Sequence, residues 1–199
     1  MSSILPPARP LLGLAIALSL AGCAATASKP TAVEANVTTK AVGYLDKTAV
    51  PASIDLVPAP PAAGSAAFAL DEQVSREARA LRGSPRFAQA SVDAELGFPE
   101  GANHFSCAAD IDVDAVKTPA LYRLLERSRI DASAATKAAK NKYQRPRPFM
   151  VNGEPTCSPK DEEGLRSNGS YPSGHTSIGW AWALILSEIA PDRADAIQA

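Results

Sequence analysis

Histidine is scarce in this chain, two in 199 residues, and one of them stands where it could do chemistry. His175 follows Pro172, Ser173 and Gly174 and opens a run, Thr176 to Ile189, dominated by Ile, Trp, Ala and Leu. Such a run reads as a helix that is apolar nearly all round and therefore buried. Its first turn offers free N–H groups and the positive end of the helix dipole, both attractive to an anion. Gly174 lets a ligand approach the backbone closely, and Ser173 adds a hydroxyl donor. His175 is then placed to give or take a proton beside the bound anion. The plainer reading is that Ser173 caps the helix and His175 merely packs.

A second cluster lies upstream. Lys140, Lys142, Arg145 and Arg147 fall within eight residues, in Lys140 to Phe149. On a continuous helix Lys140 and Arg147, seven apart, share a face, and Pro146 and Pro148 then stiffen the backbone around Arg147. A fixed guanidinium fork suits bidentate contact with a phosphate, with a lysine supplying a point charge. Taken alone, a basic run of this kind is more often a solvated face.

The elements that must position these groups read as helical. From Leu70 the texture turns charged and alanine-rich. Ser84-Pro85 is an N-cap followed by proline at the first helical position, opening a helix towards Leu96. Thr118-Pro119 repeats the device before a stretch in which Leu121, Leu124, Leu125 and Ile130 form an apolar face. A further helix is expected from near Asp131 through Tyr143, until the prolines forbid it. No segment alternates with period two, and no hairpin signal sits between β-branched runs. The fold class is therefore all-α, a compact helical bundle.

The net charge of −1 gives no broad basic surface to attract nucleic acid. Residues 1–22, with a short apolar core from Leu11 to Leu20, read as a signal segment too short to span a bilayer. It ends in Leu20-Ala21-Gly22-Cys23, which resembles a bacterial lipobox, so Cys23 is the expected lipidation site. The protein is then exported to the periplasm and touches the membrane only through that lipid. Residues 23–42 form a tether, and the folded domain begins near Gly43. In an oxidising compartment the two remaining cysteines, Cys107 and Cys157, are expected to form a disulfide. It would close a loop of about 50 residues worth roughly 4 kcal/mol; two buried free thiols are the alternative.

Other chemistries fit less well. Ser173 is not in a Gly-x-Ser-x-Gly elbow. Asp110, Asp112 and Asp114 begin like a calcium loop, but Ala115 stands where the turn glycine belongs and Leu121 where the bidentate Glu belongs. His104 reads as a loop residue. No metal site and no cofactor motif is found.

Taken together, Lys140-x6-Arg147-Pro148, then 23 residues, then Pro172-Ser173-Gly174-His175 resembles the first two of three signature motifs of the type 2 phosphatidic acid phosphatase superfamily. Within it, the flanks "GSAAFALDEQ", "ALRGSPRFAQA", "FSCAAD", "YQRPRPF" and "GSYPSGHTSIGWAWALILSE" resemble the bacterial class A non-specific acid phosphatases. The resemblance covers roughly residues 43 to 195. It implies a helical bundle of the acid phosphatase and vanadium haloperoxidase type, and metal-independent hydrolysis of small phosphomonoesters through a phosphohistidine. Carried over, Lys140, Arg147, Ser173 and Gly174 would bind phosphate oxygens and His175 would protonate the leaving group. The family's third motif, Ser-Arg-x5-His-x3-Asp, supplies the nucleophile. None of the 24 residues after His175 is a histidine, so the expectation is a domain incomplete at its C-terminal side and inactive by itself. A phosphate-binding relic, or a site completed by a second chain, are the alternatives.

Overall fold

The computed structural model describes residues 40–199, and no strand occurs among them. The signal segment, Cys23 and nearly all of the tether lie outside the described residues. The helices run α1 (Ser53–Leu56), α2 (Ala66–Ala80), α3 (Pro85–Asp93), α4 (Ser106–Ala109), α5 (Pro119–Ala135), α6 (Lys137–Tyr143), α7 (Pro148–Asn152), α8 (Glu162–Leu165), α9 (Gly174–Ile189) and α10 (Ala194–Gln198). The fold is all-α, as the absence of period-two patterning requires.

The core forms where α9 crosses α5 and α10. Ile178, Trp182, Ala183 and Leu186 make the buried stripe of α9, facing Leu125 of α5 and Ile197 of α10 in one apolar cluster. Trp182 anchors it. Its indole N–H donates to the Leu125 carbonyl at 2.9 Å, and Phe98 and Phe105 meet its ring edge-on. A buried indole without a partner would lose a hydrogen bond; here the ring is both packed and satisfied.

Three expectations are corrected. The helix from Thr176 is not buried all round. Trp180, Leu184 and Ile189 are 52%, 46% and 47% exposed, because α5 and α10 cover only one side of α9. The expected helix from Asp131 to Tyr143 is two helices. Thr136 interrupts it, its hydroxyl donating to the Ser133 carbonyl at 2.9 Å, a local bond that competes with helix continuation. The start of α6 is instead capped from a distance: Ser53 Oγ, buried, accepts the Ala139 N–H at 3.1 Å. Third, Cys107 and Cys157 are both free thiols. They are engaged with different elements: the Cys107 carbonyl receives Arg193 beside α10, whereas Cys157 Sγ donates to Ala90 of α3 at 3.6 Å.

The two Ser/Thr-Pro devices divide. Ser84 caps α3 by accepting the Phe87 N–H. Thr118 does not cap α5 with its side chain, which donates to the Asp112 carbonyl and accepts from the Asp114 N–H instead. Asp112 pairs with Lys117 and Asp114 closes the Val116–Lys117 turn, so the acidic run serves as the approach to α5. Ahead of α1, Arg127 and Asp131 of α5 grip residues 42–45: the carbonyls of Val42 and Gly43 accept from the guanidinium, and the Asp131 carboxylate accepts the Tyr44 and Leu45 N–H groups.

Candidate active site

Lys140 sits in the last turn of α6. Gln144 then adopts a left-handed conformation, φ 42°, and ends the helix, so Arg147 is not on a shared helical face with Lys140. It precedes Pro148 at the start of α7. The two cations meet by another route. The segment Leu165–Ser170 lies against the chain at Gln144–Pro146, with the Ser170 N–H donating to the Arg145 carbonyl at 2.8 Å and its hydroxyl reaching the Arg145 and Pro146 carbonyls. Lys140 Nζ donates to the Gly169 carbonyl at 2.9 Å. Arg147 Nε donates to Leu165 O at 2.9 Å, and its Nη2 to the Asn168 side chain and, at 3.5 Å, to the same Gly169 carbonyl. Arg145 is diverted to a structural pair with Asp71 of α2 at 2.8 Å.

That contact explains a glycine the sequence left unassigned. A Cβ on Gly169 would lie 2.9 Å from the Lys140 carbonyl oxygen and 3.3 Å from the Gln144 Cα, both backbone atoms. Gly169→Ala therefore must push the two segments apart. We expect it to weaken inorganic phosphate binding at least about tenfold, roughly 1.4 kcal/mol, in a calorimetric titration, with affinity unchanged if the segments did not need this approach.

The other half of the site is the start of α9. Ser173 Oγ accepts the Thr176 N–H at 3.2 Å and so caps the helix. Its hydroxyl proton remains free to donate, so capping and anion binding are compatible. Lys140 passes beside Gly174, its Cε 4.0 Å from where a Cβ would stand. Lys140 and Arg147 thus meet at the Gly169 carbonyl, and of the two it is Lys140 that passes beside the glycine opening α9. His175 is exposed and its Nε2 lies 2.9 Å from the Ala94 carbonyl, at the end of α3.

Burial and like charge both act on this pair of cations. Lys140 is held below the ordinary lysine range, first by burial and then by the neighbouring Arg147 charge. Burial also lowers Arg147. An anion placed between two such cations would offset both their desolvation and their mutual repulsion. A cleft of about 720 Å³ lies beside this cluster. It lies between α2 and α7, lined by Phe68, Arg76, Arg79 and Val151, and of Lys140, Arg147, Ser173, Gly174 and His175 it includes only Arg147. Among the described residues no group of three His, Cys, Asp or Glu side chains is arranged to hold a metal.

The PAP2 superfamily pattern matches residues 128–198, which takes in α6, the 165–170 segment and α9. A non-specific acid phosphatase of Providencia stuartii is 44% identical over 164 residues, 81% of this chain and 66% of its own length. An acid phosphatase of Zymomonas mobilis is 43% identical over 68% of this chain and 51% of its own. A non-specific acid phosphatase of Salmonella typhimurium is 39% identical over 69% and 56% respectively. The chain spans between about half and two thirds of the length of these relatives.

Proposed function

Because the chain belongs to the PAP2 superfamily, beside proteins named bacterial acid phosphatases, we propose that it is the phosphate-binding portion of an acid phosphatase acting on small phosphomonoesters. The observation that carries this is the arrangement of Lys140 and Arg147 on one carbonyl, Gly169 O, with Lys140 passing the glycine that begins α9. In the reaction we propose, Lys140, Arg147, Ser173 and the Gly174 N–H hold the nonbridging oxygens and stabilise the charge that shifts onto them. A histidine nucleophile attacks phosphorus, the ester P–O bond breaks, and His175 gives its proton to the departing alkoxide. Water then attacks the phosphohistidine, releasing inorganic phosphate and returning the nucleophile.

That nucleophile is neither of the two histidines present, His104 and His175. We place it on further polypeptide that also covers the outer side of α9, where Trp180 and Leu184 lie exposed one and two turns beyond Thr176. The extra length of the relatives supports the same reading. We further propose export and lipid attachment at Cys23, on the sequence signals alone. Binding without turnover is the second reading, favoured by the lack of a third histidine.

Hydrolysis of 4-nitrophenyl phosphate separates the two. The protein carrying the downstream coding sequence is expected to turn over and these 199 residues to bind phosphate without doing so; a longer protein that binds and never hydrolyses selects the binding reading. In the active form His175→Asn should slow alkyl phosphates at least about a hundredfold and 4-nitrophenyl phosphate far less, since a good leaving group departs without a proton. Equal losses would remove His175 from the acid role.

A further inference from the structure

The chain's two histidines end on consecutive carbonyls of a single turn. His175 Nε2 faces the carbonyl of Ala94 at 2.9 Å, and His104 Nε2 faces that of Glu95. A carbonyl oxygen can only accept, so each Nε2 carries a hydrogen. The turn itself closes α3, with Ala94 N–H on Ala90 O and Glu95 N–H on Val92 O. It is tied from several sides. Glu95 accepts from the Gly97 N–H at 2.9 Å and from Lys160 at 2.9 Å. Gly101 donates to Gly97 O and presses on the Leu96 backbone, where a Cβ would come within 3.0 Å of Leu96 C. Phe98 and Phe105, on either side of His104, pack on Trp182 of α9. The loop is therefore fixed to α9 by its aromatic residues and returns to the same helix through Ala94 and His175.

We propose that His104 is a positioning residue for the active site: by donating to Glu95 O it holds the turn that presents Ala94 O to Nε2–H of His175, so that the proton His175 exchanges is the one on Nδ1. The consequence rests on the reading of His175 as the general acid. In both its neutral and its charged form the ring keeps the Nε2 hydrogen on the carbonyl, and only Nδ1 gains or loses one. The ring enters each cycle in one tautomer and one orientation, which is what a single proton donor to a departing oxygen requires. Without the clamp the turn loses its one tie on Glu95 O, Ala94 O is held less firmly, and both ring nitrogens compete for the role.

The test is nitrogen-15 NMR of the histidine rings in this chain, where two imidazoles make assignment simple. Wild type should show neutral His175 protonated at Nε2, with the Nδ1–H form a minor species. His104→Ala should raise that minor form at least about threefold, and His104→Gln, which keeps a side-chain N–H donor, should restore the wild-type ratio. Neutral His175 protonated mainly at Nδ1 in wild type overturns the proposal, a result that needs no variant to fold. So does a His104→Ala spectrum with His175 unchanged. Inorganic phosphate titrated into the wild-type sample reads the cradle separately. If it fails to bind, the acid role falls while the clamp is still decided by the ring spectra.

Discussion

Arg147→Ala, in a longer form of the protein that turns over phosphomonoesters as proposed, is expected to lower kcat/KM for them about a thousandfold or more, roughly 4 kcal/mol. Lys140→Ala should do the same. Both side chains are partly buried with no carboxylate beside them, and each is steadied by some of its N–H donors on the Gly169 carbonyl and its neighbours, with further donors left over. That geometry holds the cations in place before any anion arrives, so little reorganisation remains when phosphoryl charge develops. Because Arg147 also holds the 165–169 segment, Arg147→Lys separates the functions. It keeps the charge, loses the planar fork, and should remain well below wild type. Steady-state kinetics on an aryl and an alkyl phosphate decide the matter, and a loss under about tenfold for Arg147→Ala, roughly 1.4 kcal/mol, removes the residue from the phosphate site.

Trp182→Ala should cost about 3–5 kcal/mol of folding stability, a large share of the 5–15 kcal/mol typical of a domain. The ring is 1% exposed, sits between α5 and the 94–105 loop, and satisfies its own N–H on Leu125 O. Trp182→Phe keeps most of the packing and drops the hydrogen bond, for a loss nearer 1 kcal/mol. Urea unfolding followed by circular dichroism measures both. If the alanine variant lost less than the phenylalanine one, Trp182 would not be the anchor of the α5–α9 contact. Since Phe98 and Phe105 rest on the same ring, the alanine change should also loosen the loop that meets His175.

Much of this was legible in the chain itself. Helical periodicity, Ser84-Pro85 and the apolar run after His175 located α3 and α9 because those signals are local: a cap and a stripe depend on residues three or four apart. The basic cluster and the Ser173–Gly174–His175 turn were legible as chemistry for the same reason. The sequence overstated continuity between Asp131 and Tyr143: the Thr136 hydroxyl that interrupts the helix bonds a carbonyl only three residues back, while the Ser53 hydroxyl that caps the next helix comes from 86 residues away. It also joined Cys107 to Cys157, where folding engages each with a different neighbour.

Local sequence signals by themselves determined that the described residues are helical and raised the expectation that two cations, a helix mouth and a histidine serve a phosphate. Tertiary structure alone decided that Lys140 and Arg147 meet on the carbonyl of Gly169, a residue without side chain, and that both histidines reach the turn at Ala94–Glu95. Backbone carbonyls are the same in every residue type, so nothing in the letters of a sequence says which of them will become the meeting point; only the packing of distant segments selects it.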